Sequence, residues 1–139
     1  MGLDQYAYKV KKGHISKPVD FTFSVFDEDS GEWNQVIPDE DYSEIAYWRK
    51  HHDLQGWMQN LYNEKGGTSS EFNCDKLLLT SEDLDRLAND VENNLLPSTS
   101  GFFFGSDNTE YYKNPTLIFI KDALRAIEEG YDIVYDSWW

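Results

Sequence analysis

At 139 residues and 16.2 kDa the chain has the length of one domain and is too short for a two-lobed enzyme. Its 26 Asp and Glu against 12 Lys and Arg give a net charge of −14 and a pI near 4.4. That excess repels phosphate backbones, excludes bulk nucleic-acid binding, and leaves a local cationic island as the only route to a nucleotide. With 40% apolar and 16% aromatic residues the chain can still bury a core, unlike a disordered acidic tail.

Cys74 is the single cysteine and cannot form an internal disulfide, the start lacks the basic and apolar regions of a signal peptide, and no apolar run approaches the roughly 18 residues of a membrane span. Tyr6 stands where a myristoylation motif needs Ser or Thr. The expectation is a cytoplasmic protein with no lipid anchor and no membrane partner.

In chain order, residues 3–10 alternate Tyr6, Tyr8 and Val10 with Gln5, Ala7 and Lys9, the period of a half-buried strand, and Phe21, Phe23 and Val25 repeat it. Loop chemistry at Lys11, Lys12, Gly13, Lys17 and Pro18 separates the two, so they are expected to pair. Residues 27–44 hold eight carboxylates and no Lys or Arg, broken by Gly31 and Pro38, and read as an exposed acidic loop. Asp41 followed by Glu44 has capping-box spacing, which predicts a long helix from Tyr42 with Tyr47, His51, Leu54, Met58 and Leu61 inward, Trp48 and Trp57 on its flanks, and Gly66-Gly67 as its stop. A short strand within 72–79 follows.

Thr80, with Asp83 three residues on, caps a second helix whose Leu84, Leu87, Ala88, Val91 and Leu95 keep helical spacing up to Pro97. Residues 101–105, three phenylalanines between glycines, read as a strand or tight turn. Asn114 and Pro115 form an N-cap and N1 pair for a third helix that ends at Gly130, and Tyr131, Ile133 and Tyr135 return to the sheet. The expected architecture is a single α+β domain over 1–139, a small mixed or antiparallel sheet packed by about three helices.

The chain carries no phosphate-binding Gly-rich loop, no nucleophile elbow and no Cys-x-x-Cys pair. Two segments remain as candidate binding elements. On a helix, Trp48 and His52 would share a face, so Trp48, Arg49, Lys50 and His52 could converge a stacking ring and cations on a planar anion. The structural alternative makes Trp48 core, pairs Arg49 with Asp53, and leaves His51 and His52 at the surface. Adjacent histidines point about 100° apart on a helix, which does not suit a metal. The second segment offers Ser98, Ser100 and Ser106 as donors to a phosphate and Phe103 as a wall for a base, or else a polar loop entering buried aromatics. Trp138 and Trp139 are either a stacking lid or an apolar clasp. No catalytic residue, metal or cofactor is nominated.

Met1-Gly2-Leu3-Asp4 with Tyr6, the 46–50 run Ala-Tyr-Trp-Arg-Lys, Leu95-Leu96-Pro97 followed by Gly101 to Ser106, the Tyr111-Tyr112 pair and the Ser137-Trp138 close resemble a group of small tailed-phage and prophage proteins that often carry the label phosphoglycerate kinase. That enzyme is a two-domain protein several times larger, and none of its phosphate-binding architecture fits here. The chain departs from the group in its second closing Trp and in the acidic stretch over 27–40. The resemblance implies a phage accessory gene that blunts host defence. Within that role the cationic, aromatic segments favour binding of a small nucleotide-like immune signal, sequestered or degraded, in the host cytoplasm. The alternative is an acidic DNA mimic or protein-binding inhibitor of a host defence or DNA-processing enzyme.

Overall fold

The computed structural model describes residues 2–99 and 109–139. Ten elements follow one another: β1 (Asp4–Lys11), β2 (Ser24–Asp27), β3 (Glu32–Gln35), a 3₁₀ turn (Asp39–Asp41), β4 (Tyr42–Arg49), α1 (His52–Glu64), β5 (Leu77–Leu79), α2 (Ser81–Glu92), α3 (Thr109–Glu128) and β6 (Tyr131–Trp138). β4, β1, β6 and β5 form one antiparallel sheet in that order, and β2 and β3 form a separate two-stranded ribbon. The protein is therefore α+β, with three helices packed on one face of the larger sheet. Among the described residues no helix is long and apolar enough to cross a membrane.

Strand alternation sorts the side chains of the sheet. Ala7, Trp48, Leu77, Leu79, Ile133 and Tyr135 face the helices and join Leu54, Met58, Leu61, Leu84, Leu87 and Phe119 in the main core. Val10 and Val134 face the other way, into a smaller cluster closed by Phe23 and Ile37. The pattern in β1 is thus the reverse of the expected one over its first half: Gln5 and Ala7 are buried, whereas Tyr6 and Tyr8 are half-exposed.

A buried polar chain ties this core together. Gln5 donates from Nε2 to the His51 carbonyl (3.0 Å) and to the Tyr135 hydroxyl (2.9 Å), while its Oε1 accepts the His51 N–H (2.8 Å). Tyr135 donates onward to Gln55 Oε1 (2.5 Å), and Gln55 Nε2 donates to Ser137 Oγ (2.9 Å) and the Phe72 carbonyl (3.2 Å). Burial pushes the Tyr135 phenol well above its ordinary pKa, so it stays a donor. Both Gln5 and Gln55 thus have their amide nitrogen and oxygen engaged, which is the condition for placing two amides in this interior without a net penalty.

Several expectations need correction. Residues 42–49 are a strand, not the start of a helix. Asp41 is no cap, because its carboxylate is held by His14 Nε2 (2.7 Å) and Lys11 Nζ (3.6 Å), and the β-prone Tyr42, Ile45, Tyr47 and Trp48 pair with β1. β1 has both edges taken by β4 and β6, so the second strand cannot pair with it and forms its own ribbon. The acidic stretch holds the turn and second strand of that ribbon, the 3₁₀ turn and the first three residues of β4 instead of a single loop. α3 starts at Thr109, which puts Pro115 inside the helix. The missing N–H costs one bond, but the preceding turn is held by Tyr112, whose hydroxyl accepts the Arg49 N–H (2.9 Å) and whose ring stacks on His51. The strand or turn expected at 101–105 lies outside the described residues.

Other local signals hold. Thr80 and Asp83 form the reciprocal capping box of α2, and Gly66 and Gly130 take positive φ (91° and 98°) just past α1 and α3. Gln5→Leu should lower unfolding stability by about 2–3 kcal/mol, because it leaves His51 backbone groups unpaired, whereas Thr80→Ala should cost only about 1 kcal/mol. Urea denaturation midpoints compared at equal slope test that order.

Candidate functional site

The segment expected to gather a binding site on one helix lies where β4 ends and α1 begins, and its residues part company there. Trp48 is directly paired with Gln5, which turns it toward the helices: it is 1% exposed, packs edge-on against Phe119 at 5.0 Å, and donates from Nε1 to Thr116 Oγ1 (3.0 Å). Trp48 is core, and the stacking role assigned to it is withdrawn. Lys50 takes a positive φ of 58° and donates its N–H to the Leu3 carbonyl (2.8 Å), which redirects the chain into α1. His51 is buried beneath Tyr112, and His52 opens α1 with a buried Nε2.

Ser98 is exposed in a loop held against α1. The neighbouring Thr99 N–H donates to Asp53 Oδ1 (2.9 Å), and a Cβ on Gly56 would stand 2.0 Å from Thr99 Oγ1, so only glycine allows that approach. His52 and Ser98 are therefore on the helix side of the sheet, away from Arg49. Ser100, Phe103 and Ser106 lie outside the described residues.

Arg49 and Trp138 do share a face, the one opposite the helices, and Lys50 follows at the end of β4. Asp4 on β1 is paired with Arg49 on β4 and with Trp138 on β6, and directly paired residues of antiparallel strands project from the same face. Two residues along, Tyr6 is paired with Tyr47 and with Asp136 on that same face. The result is two parallel rows, Arg49–Asp4–Trp138 and Tyr47–Tyr6–Asp136. Trp138 is 63% exposed and Tyr47 45%, and the Tyr6 and Tyr47 rings lie 5.3 Å apart. The remaining length of the face is closed by the smaller cluster, where Phe23 packs on Tyr8 and Tyr42.

Two ion pairs lie on this open face, and Glu44, opposite Tyr8, adds a further exposed carboxylate to it. Arg49 Nη1 lies 3.8 Å from Asp4 Oδ1, which also accepts from the Tyr47 hydroxyl (2.5 Å), and Lys76 Nζ lies 2.8 Å from Asp136 Oδ2. Burial, then the charges of Asp4, Glu44 and Asp136, raise the Tyr6 pKa, while the bond to Asp4 raises that of Tyr47; both phenols are neutral at neutral pH. A Cβ on Gly2 would stand 3.4 Å from Arg49 Nη2 and 3.9 Å from Lys50 Cε, so both cations border the same end of β1. A cleft of about 190 Å³ opens there between Gly2, Asp4, Trp138 and Trp139.

The two terminal tryptophans divide the roles that the sequence left open. Trp139 is the clasp: its N–H donates to Asn73 Oδ1 (2.9 Å), its carbonyl accepts from Asn73 Nδ2 (2.7 Å), and its Nε1 donates to the Phe72 carbonyl (3.1 Å). Trp138 is consequently presented to solvent on a fixed backbone. A second cleft, about 200 Å³, is lined by His51, Asp53, Asn94, Lys113 and Thr116 on the helix side and contains none of the expected site residues. Among the described residues no three His, Cys, Asp or Glu side chains are grouped to hold a metal.

No family model matches the chain, and neither a curated protein nor a solved structure matches it.

Sequence reasoning missed Asp4, Tyr6 and Tyr47 as members of the open face. The signal was the period-2 reading of 47–49, which sends Trp48 one way and Tyr47 and Arg49 the other. Trp48→Ala should cost about 3–5 kcal/mol of stability through the cavity it leaves, while Trp138→Ala should stay within about 0.5 kcal/mol. Thermal and urea unfolding of the two variants check the contrast, and equal losses would contradict the assignment of faces.

Proposed function

We propose that the protein binds a planar, anionic, nucleotide-type ligand on the open sheet face. The observation that carries this reading is the row Arg49–Asp4–Trp138 beside the row Tyr47–Tyr6–Asp136. An exposed indole and a phenol pair supply stacking surfaces for a base, which are sequence-tolerant and worth about 1–3 kcal/mol per base. Arg49 and Lys50 supply charge for a phosphate, and the Asp4 carboxylate can accept from a ribose hydroxyl or an exocyclic amine. A chain of net charge −14 repels long polyanions, so a small ligand fits this face better than a nucleic-acid strand.

The resemblance to small tailed-phage and prophage proteins supports a place for such binding: an accessory protein in the host cytoplasm that removes a nucleotide signal made by host immunity. Sequestration needs no catalytic group, and the residues of the open face are suited to holding a ligand. Phosphodiester hydrolysis would instead need a base next to the bound phosphate.

Isothermal titration against a panel of cyclic dinucleotides and ADP-ribose-type nucleotides should give saturable heat with at least one member. Trp138→Ala and Arg49→Ala should each weaken that binding by about ten-fold or more without moving the melting temperature. Intact ligand released after denaturation would identify sequestration, and altered ligand would identify turnover. Absence of heat with every member, or unchanged affinity in both variants, would overturn the proposal.

A further inference from the structure

In the β2–β3 ribbon residues 28–36 are exposed throughout, and among the described residues no third strand pairs with either edge. It nevertheless carries a cross-strand aromatic pair: Phe26 lies opposite Trp33 with ring centroids 5.3 Å apart, at 46% and 70% exposure, and Val25 and Val36 are also exposed. Phe23 and Ile37, one at each foot of the ribbon, are buried in the smaller cluster, so the ribbon stands on a fixed base.

Its geometry is set from inside. Asp27 accepts the Asp29 N–H (2.9 Å) and an Asn34 side-chain N–H (3.3 Å), and Gly31 closes the turn at φ 71° by donating to the Asp27 carbonyl (2.8 Å). These bonds hold the Asp27 carboxyl below its usual pKa, and they commit that carboxylate to the turn. Glu28, Asp29 and Glu32 are exposed in and beside the turn next to the aromatic pair, Asp39 and Glu40 are exposed beyond the ribbon's foot, and the sequence holds no Lys or Arg between 27 and 44. Asp41, by contrast, is matched by Lys11 and His14.

A cross-strand Phe–Trp pair stabilises such a ribbon by at most about 1 kcal/mol and leaves both rings exposed to solvent, and residues of this kind at a projecting site are the usual centre of a protein interface. Their rim here is of one sign. We infer that the ribbon docks into a basic protein surface with an apolar cleft for Trp33 and Phe26, the carboxylate rim matching Lys and Arg around it. The inference does not depend on ligand binding at Trp138, because the ribbon joins the sheet at its Tyr8–Tyr42 end, away from the Asp4 end.

A photo-crosslinking amino acid placed at position 33 of the full chain, with one at position 118 on α3 as control, tests this in the cells that naturally carry the gene. Mass spectrometry then maps the adduct, and affinity is measured with the purified partner. The expected result is an adduct at 33 within a patch of net positive charge on another protein, an affinity reduced about ten-fold or more by Trp33→Ala, a comparable loss in the triple variant Glu28→Lys/Asp29→Lys/Glu32→Lys, and steep weakening with salt. Both variants should keep the wild-type melting temperature. Adducts confined to a second copy of the chain or to lipid, adducts on a neutral or acidic surface, labelling no stronger than at position 118, or Trp33→Ala binding as well as wild type would each overturn the inference.

Discussion

The burial of Gln5 in the middle of the sheet is the constraint on which both faces depend. β1 is flanked by β4 and β6, and Gln5 is the residue through which all three are fastened: its amide holds the His51 backbone at the β4–α1 junction and the Tyr135 hydroxyl on β6. An amide whose donors and acceptor are all engaged defines register more sharply than an apolar side chain of similar size, because a slip of one residue would strand it without partners. The same slip of β1 would turn Asp4 and Tyr6 into the helical layer and bring Gln5 and Ala7 out to the open face. The open aromatic face is therefore the reverse side of a buried hydrogen-bond chain, and its residues inherit their positions from it.

That dependence explains which parts of the fold were legible in the sequence. α2 was, because its capping box and apolar stripe are local, and so were the Leu54, Met58 and Leu61 stripe of α1, the glycine stops at Gly66 and Gly130, and the alternation of β6. β4 was not. Tyr47, His51 and Leu54 happen to fall at helical spacing, and Asp41 with Glu44 imitates a cap, yet the backbone groups of 42–49 are claimed by β1, more than 30 residues away in the chain. Misreading one strand as helix was enough to misplace Trp48, since strand and helix distribute Tyr47, Trp48 and Arg49 over different faces. Arg49 and Trp138 share a face because both are paired with Asp4, a relation that the misread helix did not require.

Charge shows a similar division. Residues 27–41 hold seven carboxylates and no Lys or Arg, half of the net charge of −14, whereas the open sheet face pairs Asp4 with Arg49 and Asp136 with Lys76. A matched face can hold a small anion that an unmatched one would repel, and an unmatched rim can select a basic surface that a matched one would ignore. The two regions lie at opposite ends of the same sheet face, and the Phe23–Ile37 cluster between them separates the carboxylates of the ribbon from Arg49. Net charge here describes the ribbon far more than it describes the sheet.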